Sequence, residues 1–557
     1  MKICLINPPT TDPSERNVYF PMALLTLGGV LKKMEVEADL WDFDLFFKRS
    51  GNLTEAAFGK ILRAGVLGSG TDLFAISSIC SNFPMAIYIA KQIKEFKPNA
   101  YVVMGGAQPS SVPQETLERF PFIDMVVAGE GEVTLRRLIE VEFDPSKFEG
   151  IPGLFYRENG GIKINPKREL VPDMDDLPLP DYSLINFSDY IEAQHGRFMP
   201  CLEVGRGCPF HCTFCSTSLM WEKDFRVKSS RRIVEEMNLL NRDHGFSDFN
   251  FIHDNFTTSR KFVLDFCDYL EKSGTQQFRW SVSSRTDCID TRRLQTTHQV
   301  GLRGLFFGIE TGSAKMQAVI KKNLDFNHFE PIIQEGNRLG IGSTTAFILG
   351  FPEEDVDDMD ATFLRALHYR LVGTERVFFS KLAALTGTSL YRDNLGKFGE
   401  MSQTSTINPQ NYGIQYVRDI IRDYPSLFSS FYHVPHEKFS ADYLVRFVEF
   451  ANLAVNGNPK FVSRVLETLE WTPTQLFKRW DQWAEAGSIL YCDYRQYSPE
   501  LFREDFGRFM EAEFFSRIKS RDSFSKWEIL GNRRDLSSIP GAQFQAVNNP
   551  SSQNHPN

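Results

Sequence analysis

Residues 200–218 read PCLEVGRGCPFHCTFCSTS, and Cys208, Cys212 and Cys215 fall inside them at spacing C-x3-C-x2-C. Three thiolates in one tight loop suit a cuboidal iron–sulfur cluster, whose irons take soft anionic ligands at short range. Three protein ligands leave the fourth iron free to bind a substrate or cofactor. A structural zinc site is the rival, but it wants four closed ligands, usually from two separated pairs. His211 could complete such a set, yet it is wedged inside the loop with no second pair nearby. The six other cysteines (Cys4, Cys80, Cys201, Cys267, Cys288 and Cys492) are scattered and read as buried bystanders.

Outward from this loop, strand-like runs recur with helices between them. They are PCLEVGR (200–206), FNFIHD (249–254), FRWSVSS (278–284), GLFFGIE (304–310), TTAFILG (344–350) and RVFFSKLA (376–383). Six βα units over 196–395 make a partial (β/α)6 barrel, and barrels of this kind gather their chemistry at the strand C-termini. The cysteine loop follows the first strand directly. His253, Asp254 and Asn255 end the second strand, and Ser283 and Arg285 the third. Glu310 ends the fourth, and Ile348 to Gly350 the fifth. Arg285 offers a bidentate fork to a carboxylate; Arg285 and Glu310 could equally be members of surface ion pairs.

Residues 1–145 alternate differently. KICLIN (2–7), EADLWDF (37–43), DLFAISSI (72–79), AYVVMGG (100–106) and DMVVAGE (124–130) are short β-rich runs separated by helical stretches, which predicts an α/β doubly wound parallel sheet. Ligands of such a sheet sit beyond the strands' carboxyl ends. Those ends carry Asn7-Pro8, Ser78 to Asn82, Gly105-Gly106 with Gln108, and Gly129-Glu130. Residues 146–195, with prolines concentrated in VPDMDDLPLPDYSLI (171–185), read as an extended connector. Beyond the barrel, Ser440, Asn458-Pro459, Thr472-Pro473 and Ser498-Pro499 are helix-start signals. They predict an aromatic-rich helical domain over 396–532, a candidate lid for the barrel rim. The tail 533–557 is Asn/Ser/Pro-rich and reads as disordered.

The totals exclude some classes. A net charge of −9 gives no electrostatic footprint for coating nucleic acid. No apolar run approaches a membrane span, and the apolar run at the start is too short for a signal peptide. A cytoplasmic setting, where thiols stay reduced, is the expectation.

The cysteine loop, with Phe214 just before Cys215, resembles the cluster loop of radical S-adenosylmethionine (SAM) enzymes. FIHDNFT, SSRTDCID, FFGIETGS, AFILGFPEE and LTGTSLY resemble that family's successive strand-end motifs. KICLINPP, YFPMALLTLGGVLKK, VVMGGAQPS and VVAGEGE resemble the cobalamin-binding (Rossmann/flavodoxin-like) domain that precedes the barrel in B12-dependent members. The resemblance implies a [4Fe-4S] cluster on Cys208, Cys212 and Cys215. It implies SAM held by Phe214, Asp254, Asn255, Ser283, Arg285, Glu310, Ile348 and Gly350. Cobalamin falls to Asn7, Pro8, Ser78, Asn82, Gly105, Gly106, Gln108, Gly129 and Glu130. The pattern departs at His253, where an acidic residue is common. It departs again in the first domain, which has no histidine before His195 and so none to place beneath cobalt.

The activity implied is a B12-dependent radical SAM methyltransferase. SAM is cleaved to a 5′-deoxyadenosyl radical, an unactivated carbon of a specialised metabolite or peptide loses hydrogen, and methylcobalamin supplies the methyl group. A flavodoxin or ferredoxin is the implied electron donor, with no nucleic-acid or membrane partner. Radical cyclisation or rearrangement with the same cofactors, polar C-methylation, and a non-catalytic cobalamin or SAM sensor are the alternatives. A methylthiotransferase needs a second three-cysteine cluster in its first domain, where only Cys4 and Cys80 lie.

Overall fold

The computed structural model describes residues 1–10, 19–51, 54–166, 168–222, 224–274, 278–399, 401, 413–492 and 497–514. The expected disordered tail lies outside the described residues.

The first sheet carries β1 (Lys2–Asn7), β2 (Glu37–Asp42), β3 (Leu73–Ser77), β4 (Tyr101–Gly105), β5 (Met125–Val127), β6 (Leu154–Glu158) and β7 (Gly161–Ile164), in the spatial order 2-1-3-4-5-6-7. β1 to β5 are parallel, so the reversal of strand order at β1/β3 opens a crevice at their carboxyl ends. The sheet does not stop at residue 145. β6 and β7 extend it antiparallel from within the expected connector. Asn159 and Gly160, both at positive φ, form the two-residue turn between them, the turn chemistry that matches the twist of a hairpin.

The second sheet is the barrel. After β8 (Cys201–Glu203), the short β9 (Gly205–Arg206) and β10 (Arg226–Val227) pair with each other. The barrel continues with β11 (Asp248–Ile252), β12 (Arg279–Ser284), β13 (Leu302–Glu310), β14 (Gly342–Leu349) and β15 (Arg376–Lys381). Six parallel strands run in the order 15-14-13-12-11-8, and β8 and β15 do not meet, so the barrel is partial. Alternate residues such as Phe251, Trp280, Phe307, Phe347 and Phe379 are buried outward against the helices. The other parity faces the lumen.

An open barrel leaves β15 as an edge with unpaired backbone groups. Here the helix Ala441–Gly457 closes it with two asparagines one turn apart. Asn452 accepts from the Phe379 N–H (2.8 Å) and donates to its carbonyl (2.9 Å). Asn456 does the same for Val377 at 3.0 and 2.7 Å.

All four expected helix caps form, at Ser440, Asn458, Thr472 and Ser498. The helices they start pack on the outer face and edge of the barrel, and Trp480, Trp483, Tyr491 and Trp471 pack into or against one core shared with it. This corrects the expected lid: the helices after residue 440 cover a side of the barrel. The preceding stretch behaves differently. Ile414, Phe428, Phe431 and Tyr432 are buried in the core of the first domain.

Candidate active site

The cysteine loop is an excursion from the end of β8, closed at its base by the β9/β10 pair. Gly207, at φ +93°, makes that closure possible: a Cβ there would stand 1.6 Å from the Asp224 carbonyl oxygen. Asp254, at the end of β11, holds the loop from both sides. One carboxylate oxygen accepts from the Gly207 N–H at 2.8 Å and the other from the Thr217 hydroxyl at 3.0 Å. The middle of the loop is tied down through Thr213, whose N–H donates to Ile320 and whose carbonyl accepts from Leu390, both at 3.1 Å.

Cys208, Cys212 and Cys215 are half-buried inside this frame. Burial pushes the Cys208 thiol up to about 11 and raises Cys212 too, against the pull of the nearby Lys322 and Arg285 charges. Iron therefore displaces protons as it binds. Among the described residues no three Cys, His, Asp or Glu side chains converge on a single ion. A cube asks for a different arrangement, one thiolate on each of three irons.

Around the loop runs a connected set of rim residues. Arg285 packs its guanidinium 3.7 Å from the centre of the Phe210 ring and forks onto Asp287 at 3.0 and 2.8 Å. It also donates to the Lys322 carbonyl, while its Nη1 is buried with no partner among the described residues. An orphaned cationic donor beside the cysteine loop fits the carboxylate of a cofactor chelated to iron. Glu310 ends β13 at φ +70°, an uncommon conformation for glutamate, across a β-bulge, and accepts from Lys322 Nζ at 2.6 Å. Strain of this kind concentrates at working sites. Phe214 meets Phe351 edge-on at 5.9 Å, beside Ile348 and the positive-φ Gly350. Glu354 accepts from the Gly350 N–H at 2.6 Å; its burial raises it to about 8, and its other oxygen is unpartnered among the described residues.

Asn255 is committed inward: it accepts from the Arg285 N–H at 3.0 Å and faces the Cys288 sulfur. His253 is buried and neutral, driven down to about 4 by burial, and accepts from the Asn255 N–H. Deeper in the lumen, the register places Ile252, Ser283, Phe306 and Thr344 in one row across β11 to β14. Ile252 is 40% and Phe306 43% exposed, flanked on β13 by Gly304 and Gly308. Bare apolar side chains in such a row form a shelf.

In the first domain the crevice loops are tied to one another. Asn7 donates to Asp42 at 2.8 Å, Ser78 to Asn82 at 3.1 Å, and Asn82 to the Pro8 carbonyl at 3.2 Å. A Cβ at Gly106 would stand 2.4 Å from the Ser78 carbonyl, so the β3 and β4 loops touch only because Gly106 has none. Ile79 stands out of this knot, 49% exposed. A bare apolar tip and bonded loop backbones fit a corrin edge. Gln108 and Glu130 are placed elsewhere. Gln108 donates to the Leu427 carbonyl and accepts from Thr386. Glu130 is buried against Arg206 and Arg226. Gly129 lies under the Arg168 side chain. Sequence reasoning missed Phe210 and Asp287, although both lie inside quoted motifs, and Lys322, which follows the end of FFGIETGS by nine residues.

Residues 202–366 match the model of the radical SAM superfamily and residues 17–139 that of the B12 binding domain. An uncharacterised methyltransferase of Pyrococcus horikoshii is 30% identical over 362 residues, 65% of this chain and 77% of that one. The chain belongs to the cobalamin-dependent radical SAM methyltransferase family. Its cofactors are accordingly a [4Fe-4S] cluster, SAM and cobalamin. An anaerobic magnesium-protoporphyrin IX monomethyl ester cyclase of Cereibacter sphaeroides is 26% identical over 53% of this chain and 49% of its own length. The cobalamin-dependent SAM radical enzyme OxsB, with aqua-cobalamin bound, shares the fold of this radical SAM protein at a TM-score of 0.64. That match has 17% identity and covers 97% of this chain and 84% of that one. No helix among the described residues is long and apolar enough to cross a membrane.

Proposed function

We propose that this enzyme moves a methyl group from SAM, by way of cobalamin, to an unactivated carbon in an apolar part of a small molecule or peptide. Its reaction class follows the family. The single observation that carries the substrate reading is the bare lumen shelf of Ile252 and Phe306, which offers hydrocarbon contact to an incoming group. When bound, the cofactors supply an electron, a carbon radical and a transferable methyl group. The chain's own work is placement and exclusion of water. Cys208, Cys212 and Cys215 hold the cluster, and Asp254 and Gly207 keep their loop closed. Arg285 Nη1 takes the SAM carboxylate, and Glu310 and Ser283 face its polar remainder. Phe214, Ile348 and Gly350 line the adenine side. Asn7, Pro8, Ser78, Asn82, Gly105 and Gly106 shape the loops that receive cobalamin. A flavodoxin or ferredoxin delivers the electron.

The cyclase relative favours a second reading, radical ring formation with the same cofactors. Anaerobic turnover with apolar candidate substrates separates the two. A methylated product with both 5′-deoxyadenosine and S-adenosylhomocysteine supports methyl transfer, and a product without added carbon supports cyclisation. Binding of SAM and cobalamin with no SAM cleavage under reductant refutes both.

A further inference from the structure

Between the two domains lies a group of buried charges that the cofactors' immediate surroundings do not explain. Arg206 and Arg226 stand directly opposite each other in the β9/β10 pair at the base of the cluster loop. Like charges facing across two strands repel, and both side chains are almost wholly buried, at 5% and 7% exposed. The charge that reconciles them comes from the other domain. Glu130, next to Gly129 at the end of β5, accepts from Arg206 Nη1 at 2.9 Å and from Arg226 Nη2 at 2.8 Å on one oxygen. Its other oxygen accepts from Arg226 Nη1 at 3.0 Å and from the Val171 N–H. Arg206 also forks onto Glu203 at 2.9 and 3.0 Å and reaches Glu132 at 2.7 Å. The Arg206 charge holds Glu132 and Glu203 near; in return the carboxylates raise Arg206 well above its ordinary range, despite burial.

Arg206 is two residues before Cys208, and Glu130 is the last residue of a loop at the crevice mouth. We propose that Glu130 is a positioning residue: by neutralising the opposed arginines it locks the cluster loop to the crevice loop and so sets the spacing between cluster and cobalamin. Without it, Arg206 and Arg226 repel across β9/β10 at the foot of the cluster loop, and the remaining tie from Arg206 to Glu132 holds the spacing between the two cofactor sites less tightly. This rests on cobalamin occupying the crevice beyond β1, β3, β4 and β5.

The test uses holoprotein with cluster and cobalamin loaded, comparing native chain, Glu130→Gln, Arg226→Lys and Asp360→Asn. Asp360 is a buried carboxylate bonded to Thr474 on the barrel's outer side, so its variant reports lost stability alone. Iron and cobalt content are measured first. Pulsed EPR then gives the distance between Co(II) and the reduced cluster, and the rate of methylcobalamin formation from SAM and cob(I)alamin is followed optically. Glu130→Gln and Arg226→Lys are expected to bind both cofactors, to broaden or shift the distance distribution, and to slow methylcobalamin formation on the order of 10²-fold, the usual cost of an ångström of misplacement. Asp360→Asn is expected to keep the native distance and rate at a lower melting temperature. Native distances and rates in both interface variants overturn the proposal, as does the same defect in Asp360→Asn. Failure of the native protein to form methylcobalamin counts against the functional reading instead, and the distance comparison still decides the role of Glu130.

Discussion

Replacing Gly207 by alanine puts a methyl carbon where the Asp224 carbonyl oxygen stands, 1.6 Å away, at a φ of +93°. Either the β9/β10 pair opens or the loop base rotates, and in both cases the 2.8 Å bond from the Gly207 N–H to Asp254 is lost. A hydrogen bond to a charged group contributes about 1.5–3 kcal/mol, and a non-glycine residue forced into this backbone region costs about 1–3 kcal/mol. Together they amount to about 2.5–6 kcal/mol concentrated in one loop, less than most of the 5–15 kcal/mol that holds a whole domain. The chain should therefore fold but fail to keep the cluster. Gly150→Ala is the matched control, since Gly150 has φ +79° and nothing within 4 Å of the added carbon; it should cost only about 1–2 kcal/mol. After anaerobic reconstitution, Gly207→Ala is expected to hold under a tenth of the iron of native protein, with circular dichroism unchanged, and Gly150→Ala to hold all of it. Equal iron in both variants refutes the account of how the loop is closed.

Arg285→Lys keeps a positive charge but loses the fork and the orphaned Nη1, so SAM affinity should fall on the order of 10-fold or more with iron content unchanged, read by equilibrium binding of SAM to the loaded protein. Asn452→Ala removes both bonds that cover Phe379 on the edge strand, and at about 1–3 kcal/mol for each unsatisfied buried group it should lower the chemical-denaturation midpoint while SAM cleavage per folded chain stays constant. Glu354 has its folded pKa raised from 4.5 to about 8, so the folded chain holds a proton that the unfolded chain has released. Stability should then decline from about pH 4.5 to pH 8 by about 1 kcal/mol per pH unit from this group, and Glu354→Gln should flatten that decline. Unfolding curves at pH 6 and pH 8 check it, and an unchanged slope in the variant contradicts it.

The centre of the molecule was legible because its chemistry forces local patterns. Three thiolates supplied to a cube by one tight loop are close in sequence, and a barrel that works at its strand ends places Arg285 and Glu310 one residue past or at an apolar run. Ser440, Asn458 and Thr472 declared their helices because a cap bonds within three residues. Choices of distant partner left no such mark. Asp254 and Asn255 read as ligand residues, yet one clamps the cluster loop and the other braces Arg285. Glu130 sits in a glycine-rich crevice loop but spends its charge on arginines of the other domain. The β6/β7 hairpin had a signal, Asn159-Gly160 between short apolar runs, which the proline-rich stretch after it obscured. The lid expectation failed because amphipathic helices announce a buried face without saying which surface buries it; Asn452 and Asn456 reveal the answer only once β15 is known to be an edge.

The most direct test of the central claim, that one chain places a three-cysteine cluster against SAM and cobalamin, is SAM cleavage by anaerobically reconstituted protein under a strong reductant. Native protein should yield 5′-deoxyadenosine and methionine, and Cys212→Ala should yield neither while still binding cobalamin. Equal cleavage by the two proteins, or none by iron-loaded native protein, contradicts the account.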